Sequence, residues 1–178
     1  MNETISKSLC GYFAQLLEYP VPSLEELTKK CIFLLDPLHK EAADLLKGFN
    51  FFLEQTPLAR REAIYTDAFE FHSPSFPYVG YHLFGENDRR ALFMTGLKEH
   101  YGFYGFSEGT ELPDRLSIVL RFLASERDAE QMEIIDWCVV PALEKMVAEL
   151  NGKSNPYKGV LQALLLALKD GWSDGGKE

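Results

Sequence analysis

Apolar residues recur along most of this chain at the spacing of α-helices. The clearest case is the segment 111–123, where four apolar residues at i, i+3, i+4 and i+7 share one face: Leu116, Val119, Leu120 and Leu123. Pro113 suits the first position of a helix, and Asp114 would place a negative charge in the first turn, at the positive end of the helix dipole. This segment therefore predicts an amphipathic helix, around which we expect the rest of the chain to be organised.

The same period predicts further helices on both sides of this segment. Two of them are predicted over residues 3–18 and over residues 129–150, the second kinked at Pro141. The start signals of the others, in chain order, are a capping box at Ser23–Glu26, a restart at Asp36-Pro37, a cap and proline at Thr56-Pro57, a cap at Asn87-Asp88 and a last start at Asn155-Pro156. Residues 72–85 have two prolines, two glycines and no helical period, so they predict an ordered loop rich in aromatic residues.

No segment alternates between apolar and polar residues as a β-strand would. We therefore predict an all-α, single-domain bundle of about eight helices with an aromatic-rich central loop. The domain should span residues 1–170, and residues 171–178, which include three glycines, should form a flexible tail.

Composition and charge narrow the possible partners. The chain has 178 residues, of which 46% are hydrophobic and 13% aromatic, so it is large and apolar enough to bury a core. Its 18 basic and 27 acidic residues give a net charge of −9, which argues against binding to nucleic acid and against an anionic membrane surface. Residues 108–150 hold ten acids and four bases, which favours a cationic partner, although solubility alone also explains mild acidity.

The sequence contains no motif for catalysis or cofactor binding. Cys10, Cys31 and Cys138 lie far apart, as free thiols in a reducing cytosol would, and the four histidines form no pair at ligand spacing. There is no glycine-rich phosphate loop after a strand, no nucleophile elbow, no secretory signal and no apolar run long enough to cross a membrane. The sequence therefore gives no support to an enzyme, a dedicated metal site or a cofactor, and the separated cysteines suit a cytoplasmic protein.

Several segments resemble a known group of proteins. They are Tyr65–Phe69, Pro77-Tyr78, Gly85–Arg90 with Met94 and Leu97, Tyr101–Phe106, Glu111–Leu116 and Val119–Leu123. In this order they are similar to the NarJ/TorD/DmsD family of chaperones that mature molybdenum-containing respiratory reductases, and most similar to the NarJ-like branch. Two positions depart from the usual pattern, because Arg115 stands where the family usually has histidine and Arg121 where it usually has an acid.

The resemblance implies an all-helical, cytoplasmic chaperone that acts before membrane targeting or export. Such a chaperone binds the apo catalytic subunit of a reductase, nitrate reductase first, through its N-terminal or twin-arginine signal segment, and assists cofactor insertion. Acids would meet the arginines of that segment, and aromatic side chains would bury its apolar part. The predicted peptide-binding residues are Tyr78, Tyr81, Phe84, Asp88, Tyr101, Phe106, Glu111, Asp114, Arg115 and Arg121.

Other interpretations remain open at this stage. Tyr101 and Phe106 also suit a core, Glu111 and Asp114 suit a helix dipole, and Arg115 and Arg121 suit bridges to neighbouring acids, while Arg89 and Arg90 are expected to be solvated. For the whole protein, the alternatives are a structural scaffold subunit of a reductase complex and a small-molecule-binding helical bundle.

Overall fold

The computed structural model describes residues 3–70, 75–125, 129–152 and 154–171. Ten α-helices and one π-helical turn cover most of these residues: α1 (Glu3–Leu16), α2 (Leu24–Leu35), α3 (Lys40–Gln55), α4 (Leu58–Phe69), α5 (Val79–Phe84), α6 (Asp88–Phe103), α7 (Leu116–Ser125), α8 (Ala129–Ile134), the π turn (Ile135–Val139), α9 (Val140–Glu149) and α10 (Tyr157–Gly171). Since α8, the π turn and α9 run on without a break, the described residues form nine continuous helices, one more than predicted. They contain no β-strand, which confirms the all-α prediction.

One core joins the two ends of the chain to its middle. Helix α1 packs against α7 and α2, and α3 packs against both α2 and α10. The largest side chains with almost no exposed surface come from six different helices: Phe13, Phe49, Tyr65, Tyr101, Phe122 and Tyr157. Rings from α3, α4 and α10 meet at centroid distances of 5.1–5.5 Å, which is the range of favourable aromatic pairs.

Helix α7 begins later than the sequence predicts. It starts at Leu116, and the carbonyl of Arg115 accepts hydrogen bonds from the backbone N–H groups of Ile118 and Val119. Pro113 and Asp114 therefore precede the helix. The prediction that Asp114 sits in the first turn against the helix dipole is wrong, because its side chain is turned into the protein and pairs with a cation there.

The signals at other helix ends have mixed outcomes. Asn87 caps α6 as predicted, with its Oδ1 accepting from the Arg89 N–H at 2.9 Å, and Asn155 Oδ1 accepts from the Tyr157 N–H at 3.0 Å. The capping box at Ser23 is wrong, because Ser23 has helical backbone angles and its side chain makes no capping hydrogen bond. His39 caps α3 instead of the predicted restart at Asp36-Pro37, since its Nδ1 accepts from the Ala42 N–H at 3.2 Å.

The predicted central loop contains a short helix, α5. Six residues are too few to display a 3.6-residue period, so the sequence pattern missed it. Its start is fixed by two backbone hydrogen bonds to the segment before α7, from the Val79 N–H to the Asp114 carbonyl and from the Leu116 N–H to the Pro77 carbonyl, each 2.7 Å long. Gly85 ends it with a φ of 73°, which favours glycine.

Pro141 lies just after the π turn of the long helix, and the kink predicted there stays a prediction. Proline has no N–H to donate to the carbonyl four residues earlier, and its ring crowds that carbonyl. The turn before it is widened, and the Val140 N–H donates to the carbonyl of Ile135, five residues back.

Helix α10 continues through Gly171, so the predicted domain boundary at residue 170 falls inside its last turn. Residues 172–178 lie outside the described part of the chain, and the flexible tail stays a prediction. None of the described helices combines the length and the apolar character needed to cross a lipid bilayer.

Candidate functional site

Helix α5 and the residue that precedes it carry three aromatic side chains that reach the protein surface. Tyr78 and Tyr81 are half-buried, and Phe84 is 37% exposed. They follow one another at intervals of three residues, while the opposite side of α5 buries Val79, Gly80 and His82. We call Tyr78, Tyr81 and Phe84 the ring surface.

A buried ion pair lies directly beneath the ring surface. Arg90 Nε donates to Asp114 Oδ2 at 2.8 Å, and Arg90 Nη2 donates to Asp114 Oδ1 at 3.3 Å. Asp114 is 0% exposed and Arg90 only 6% exposed. Arg90 Nη1 also reaches the carboxylate of Glu86, and the guanidinium carbon lies 5.2 Å from the centre of the Tyr78 ring. The expectation that Arg90 is solvated is therefore wrong.

Gly80 is required where α5 crosses this ion pair. A Cβ atom at this position would lie 2.7 Å from Asp114 Oδ2, 2.9 Å from Phe93 Cδ1 and 3.2 Å from Arg90 Cγ. The first two distances are shorter than real Cβ contacts allow. A glycine thus lets α5 rest directly on the pair and fixes the height of the ring surface above it.

Tyr101 and Phe106 belong to an aromatic cluster around Phe122. Tyr101 is fully buried, its hydroxyl donates to the Pro113 carbonyl at 2.8 Å, and burial raises the pKa of this phenol far above its usual range. Phe106 is half-buried, 5.4 Å from Phe122 between ring centres, and the exposed Arg121 guanidinium lies 5.9 Å above the Phe106 ring. Tyr101 is a core residue and has no surface with which to touch a ligand directly.

Arg115 connects the segment before α7 to α1 and α4. Its Nη1 donates to Glu111 Oε2 at 2.8 Å, and its Nη2 lies 3.3 Å from Glu18 Oε2 and 3.2 Å from Tyr65 Oη. Burial raises the pKa of Tyr65 to about 12, although the neighbouring guanidinium opposes the shift. Arg115 therefore forms bridges to neighbouring acids, which was the alternative to its predicted role in peptide binding.

A cleft of about 490 Å³ opens beside the ring surface, between α5 and α9. Tyr81, Glu86 and Glu149 line it, and Lys145 Nζ donates to the carbonyl of His82 at 2.6 Å. Burial lowers the pKa of His82, whose Nε2 lies 2.8 Å from the Phe76 carbonyl oxygen. The described residues include no group of three or more His, Cys, Asp or Glu side chains placed to hold a metal ion.

The structure brings only part of the predicted set together at the surface. Tyr78, Tyr81 and Phe84 lie side by side, with Asp88 exposed in the first turn of α6; Glu111 is exposed, and Tyr78 forms an isolated β-bridge with Arg115. Phe106 and Arg121 belong to the Phe122 cluster. Asp114 has no exposed surface and is already paired with Arg90. The prediction that Asp114 contacts an arginine of a bound peptide is therefore wrong.

Sequence reasoning missed Arg90, Glu86 and Gly80. For Arg90 a signal existed, because it is in register with Leu97 and Tyr101, at i, i+7 and i+11, on the buried stripe of α6. A cation on such a stripe needs a buried acid as its partner. No comparable signal marks Gly80, whose importance depends on contacts with distant residues.

The sequence and the fold both match known proteins. A family model described as nitrate reductase delta subunit matches residues 35–153. The fold is similar to the crystal structure of a proposed redox enzyme maturation protein from Archaeoglobus fulgidus, with 23% identity, 92% of this chain and 93% of that chain covered, and a TM-score of 0.63. No curated protein sequence matches the chain significantly. Because the family model spans about two-thirds of the chain, and its match confirms the resemblance noted in the sequence, the protein belongs to the nitrate reductase delta subunit family.

Proposed function

We propose that this protein is a non-catalytic chaperone for a redox enzyme of the molybdenum-containing reductase class. It binds the N-terminal or twin-arginine segment of the apo catalytic subunit, with nitrate reductase as the first candidate. It holds this subunit in the cytoplasm until the cofactor is inserted and then releases it for membrane targeting or export. Membership of the nitrate reductase delta subunit family supports this role, as does a fold shared with a proposed redox enzyme maturation protein.

The observation that carries the proposal is the ring surface and the acids near it. Three neighbouring aromatic side chains are partly exposed, and the exposed carboxylates of Glu86 and Asp88 follow in the next few residues of the chain. Aromatic rings bury apolar side chains of many shapes, while carboxylates orient arginines through charge-assisted hydrogen bonds. This combination suits a short segment that has both apolar and basic residues.

The ring surface rests on a rigid base. The Arg90–Asp114 pair and Gly80 fix α5 from below, and Tyr101 holds the Pro113 carbonyl beside them. Tyr101 and Asp114 thus support the proposed site without contacting the peptide. A preformed site loses less entropy when it binds a flexible segment, which favours affinity without a large interface.

The charges suggest an orientation for the bound segment. Glu86 and Asp88 lie at the end of α5 and the start of α6, whereas Arg121 is an exposed cation above Phe106. An arginine of the client would be attracted to the acids and repelled by Arg121. We therefore place the basic residues of the client near Glu86 and its apolar residues towards Phe106. Arg115 interferes little, because Glu111 and Glu18 already balance its charge.

Calorimetric titration with a synthetic N-terminal segment of a nitrate reductase catalytic subunit tests this proposal. We expect binding that weakens as salt is added, and a Glu86→Gln/Asp88→Asn variant that binds roughly five- to tenfold more weakly with a flatter salt dependence. The matched control is Glu41→Gln/Asp67→Asn, which changes the net charge by the same amount at exposed positions on α3 and α4. Equal affinity in both variants would remove the two acids from the site, and no binding of any reductase segment would refute the proposal.

The scaffold alternative has one observation in its favour, since the matching family is described as a subunit. A permanent subunit and a chaperone differ in how long they stay with the reductase. When the protein and the reductase are produced together, a chaperone leaves after cofactor insertion and is recovered with the apo catalytic subunit. Recovery in fixed proportion with the finished, cofactor-loaded reductase would favour the scaffold.

A further inference from the structure

The outer face of α2 presents a protruding aromatic side chain between two clefts. Phe33 is 79% exposed although it lies within a regular helix. A cleft of about 640 Å³ lies on one side of it and a cleft of about 340 Å³ on the other, and Phe33 and Leu34 line both. Ile5, Ile32 and Leu38 add to the apolar wall of the larger cleft. We call this region the Phe33 surface.

The charged side chains that line these clefts are already paired within the chain. Lys29 contacts Glu25 at 2.7 Å and Glu54 at 3.2 Å, and Lys30 contacts Glu26 at 2.7 Å. Lys47 contacts Asp36 at 2.5 Å and Asp44 at 2.8 Å. A strongly basic or acidic partner would have to break these pairs to gain new ones, so the surface does not favour such a partner.

We propose that the Phe33 surface binds a second copy of this chain around a two-fold axis. An isologous contact needs one patch that complements itself, and a protruding ring beside apolar clefts meets this requirement. In such a pair, the Phe33 ring of each copy enters the cleft beside the Phe33 ring of the other. The surface of the partner is thus apolar at its centre and carries ion-paired charges at its rim, as this surface does.

The charges three residues away from Phe33 favour one direction of the pairing, although Lys30 and Asp36 keep their partners Glu26 and Lys47 within their own chain. Lys30 precedes Phe33 by three residues and Asp36 follows it by three, and Asp36 still has helical backbone angles. When two α2 helices cross antiparallel at Phe33, Lys30 of each copy faces Asp36 of the partner subunit. A parallel arrangement would place like charges together.

The overall charge also favours this face for self-association. Two copies repel each other because each carries a net charge of −9. Repulsion is weaker where basic side chains lie among the acids, as Lys29, Lys30 and Lys47 do around Phe33. The inference is independent of the proposed chaperone function, because residues 5–47 build the Phe33 surface, whereas Tyr78, Tyr81 and Phe84 form the ring surface.

Sedimentation velocity of the full chain from about 1 µM to about 500 µM tests the inference. We expect a reversible monomer–dimer equilibrium in the wild type and a dimer dissociation constant at least about tenfold higher in Phe33→Ser, since each copy loses a buried aromatic ring. Phe103→Ser is the matched control, because Phe103 is 82% exposed on a different helix, and we expect it to dimerise like the wild type. A wild type that stays monomeric throughout, or a Phe33→Ser dimer of unchanged affinity, would overturn the inference.

A charge exchange tests the direction of the pairing. Lys30→Glu and Asp36→Lys should each weaken the dimer, and the double variant should recover most of the lost affinity, because opposite charges face each other again. Circular dichroism checks that each variant remains folded. A double variant as weak as the single ones would refute the antiparallel arrangement. Loss of client-peptide binding in Phe33→Ser, with dimerisation unchanged, would assign this surface to the client instead.

Discussion

The guanidinium of Arg90 and the carboxylate of Asp114 form an ion pair that water hardly reaches. Removing both charges from water is unfavourable, and the pair offsets this with two hydrogen bonds, a third contact to Glu86 and the Tyr78 ring above the cation. Asp114 also uses its backbone carbonyl to hold the start of α5. One residue thus connects α5, α6 and the segment before α7.

We expect loss of one partner of this pair to be more harmful than loss of both. Asp114→Asn should lower the free energy of unfolding by about 3 kcal/mol, because Arg90 is left as a buried cation with too little compensation. Arg90→Met should have a similar effect, and the double variant should lose clearly less than the sum of the two. Urea unfolding followed by circular dichroism measures all three, with the exposed Arg89→Met as control. Additive losses would mean that the two charges do not stabilise each other.

His82 makes the stability of the protein depend on pH near neutrality. Burial against α9 lowers its pKa below the ordinary value of 6.5, an effect that Lys145 reinforces and the Phe76 carbonyl and Glu149 oppose. The unfolded chain therefore binds a proton at a higher pH than the folded chain does. The contribution of His82 to the free energy of unfolding is therefore complete above about pH 7.5. It falls as the pH drops through 6.5, until the folded protein also binds the proton.

The corresponding variant is His82→Gln, which cannot titrate. We expect the wild type to lose stability between pH 7.5 and about pH 5.5, and the variant to show a flatter profile over the same window. Urea titrations at several pH values give both profiles, and carboxyl groups contribute little because they titrate mainly below this window. Parallel profiles for the two proteins would show that His82 is not responsible.

Helix α5 depends on its neighbours for its existence. A helix of six residues is not stable alone in water, because helix nucleation is unfavourable and few hydrogen bonds follow it. Its ends are held by the hydrogen bonds of Val79 and Leu116 and by Gly85, and its first turn rests on the Arg90–Asp114 pair at Gly80. The position of the ring surface is therefore a property of these tertiary contacts.

Two glycine-to-alanine changes should have opposite effects on stability. Gly80→Ala forces a methyl group against Asp114 and Phe93 and should cost about 1–3 kcal/mol. Gly96 lies in the middle of α6 with nothing within 4 Å of its would-be Cβ, so Gly96→Ala should stabilise by up to about 1 kcal/mol through helix propensity. Thermal unfolding distinguishes the two signs. A Gly80→Ala protein as stable as the wild type would show that α5 can move away from the pair.

The local sequence predicted the long helices better than the short one. Helices α1, α3 and α10 extend over 14 residues or more and show several turns of apolar period, so their type is clear before any tertiary contact is known. The capping box at Ser23 and the start of α7 at Pro113 were wrong because a cap depends on the conformation of one residue. At Asp114 a distant arginine decided that conformation.

At the scale of the whole molecule, the fold was predictable and the site only in part. Apolar spacing alone was enough for the all-α bundle, since burying those faces requires helices to pack together. Tyr78, Tyr81 and Phe84, which were predicted to bind peptide, reach the surface, whereas Tyr101 and Asp114, predicted for the same role, are buried. Residue type does not distinguish an acid that is available to bind a ligand from one that is already in an ion pair inside the protein.

The region that matches the family is smaller than the unit that folds. The match covers residues 35–153, which leaves out α1, nearly all of α2 and the whole of α10. Helix α1 nevertheless supplies Leu9, Phe13 and Leu16 to the core, and α10 supplies Tyr157 and Leu161, all with at most 3% of their surface exposed. Without these helices, the apolar faces of α3 and α7 would be open to water.

We therefore expect a fragment of residues 35–153 to lack a cooperative unfolding transition and to bind a hydrophobic dye, because the hydrophobic burial it loses exceeds the few kcal/mol by which a domain of this size is stable. A fragment of residues 1–171 keeps every described helix and should unfold in one step at the same temperature as the full chain. Circular dichroism melts and dye fluorescence compare the three proteins. A sharp transition in the 35–153 fragment would mean that α1, α2 and α10 only cover a core that is complete without them, and the single domain would then end well short of residue 170.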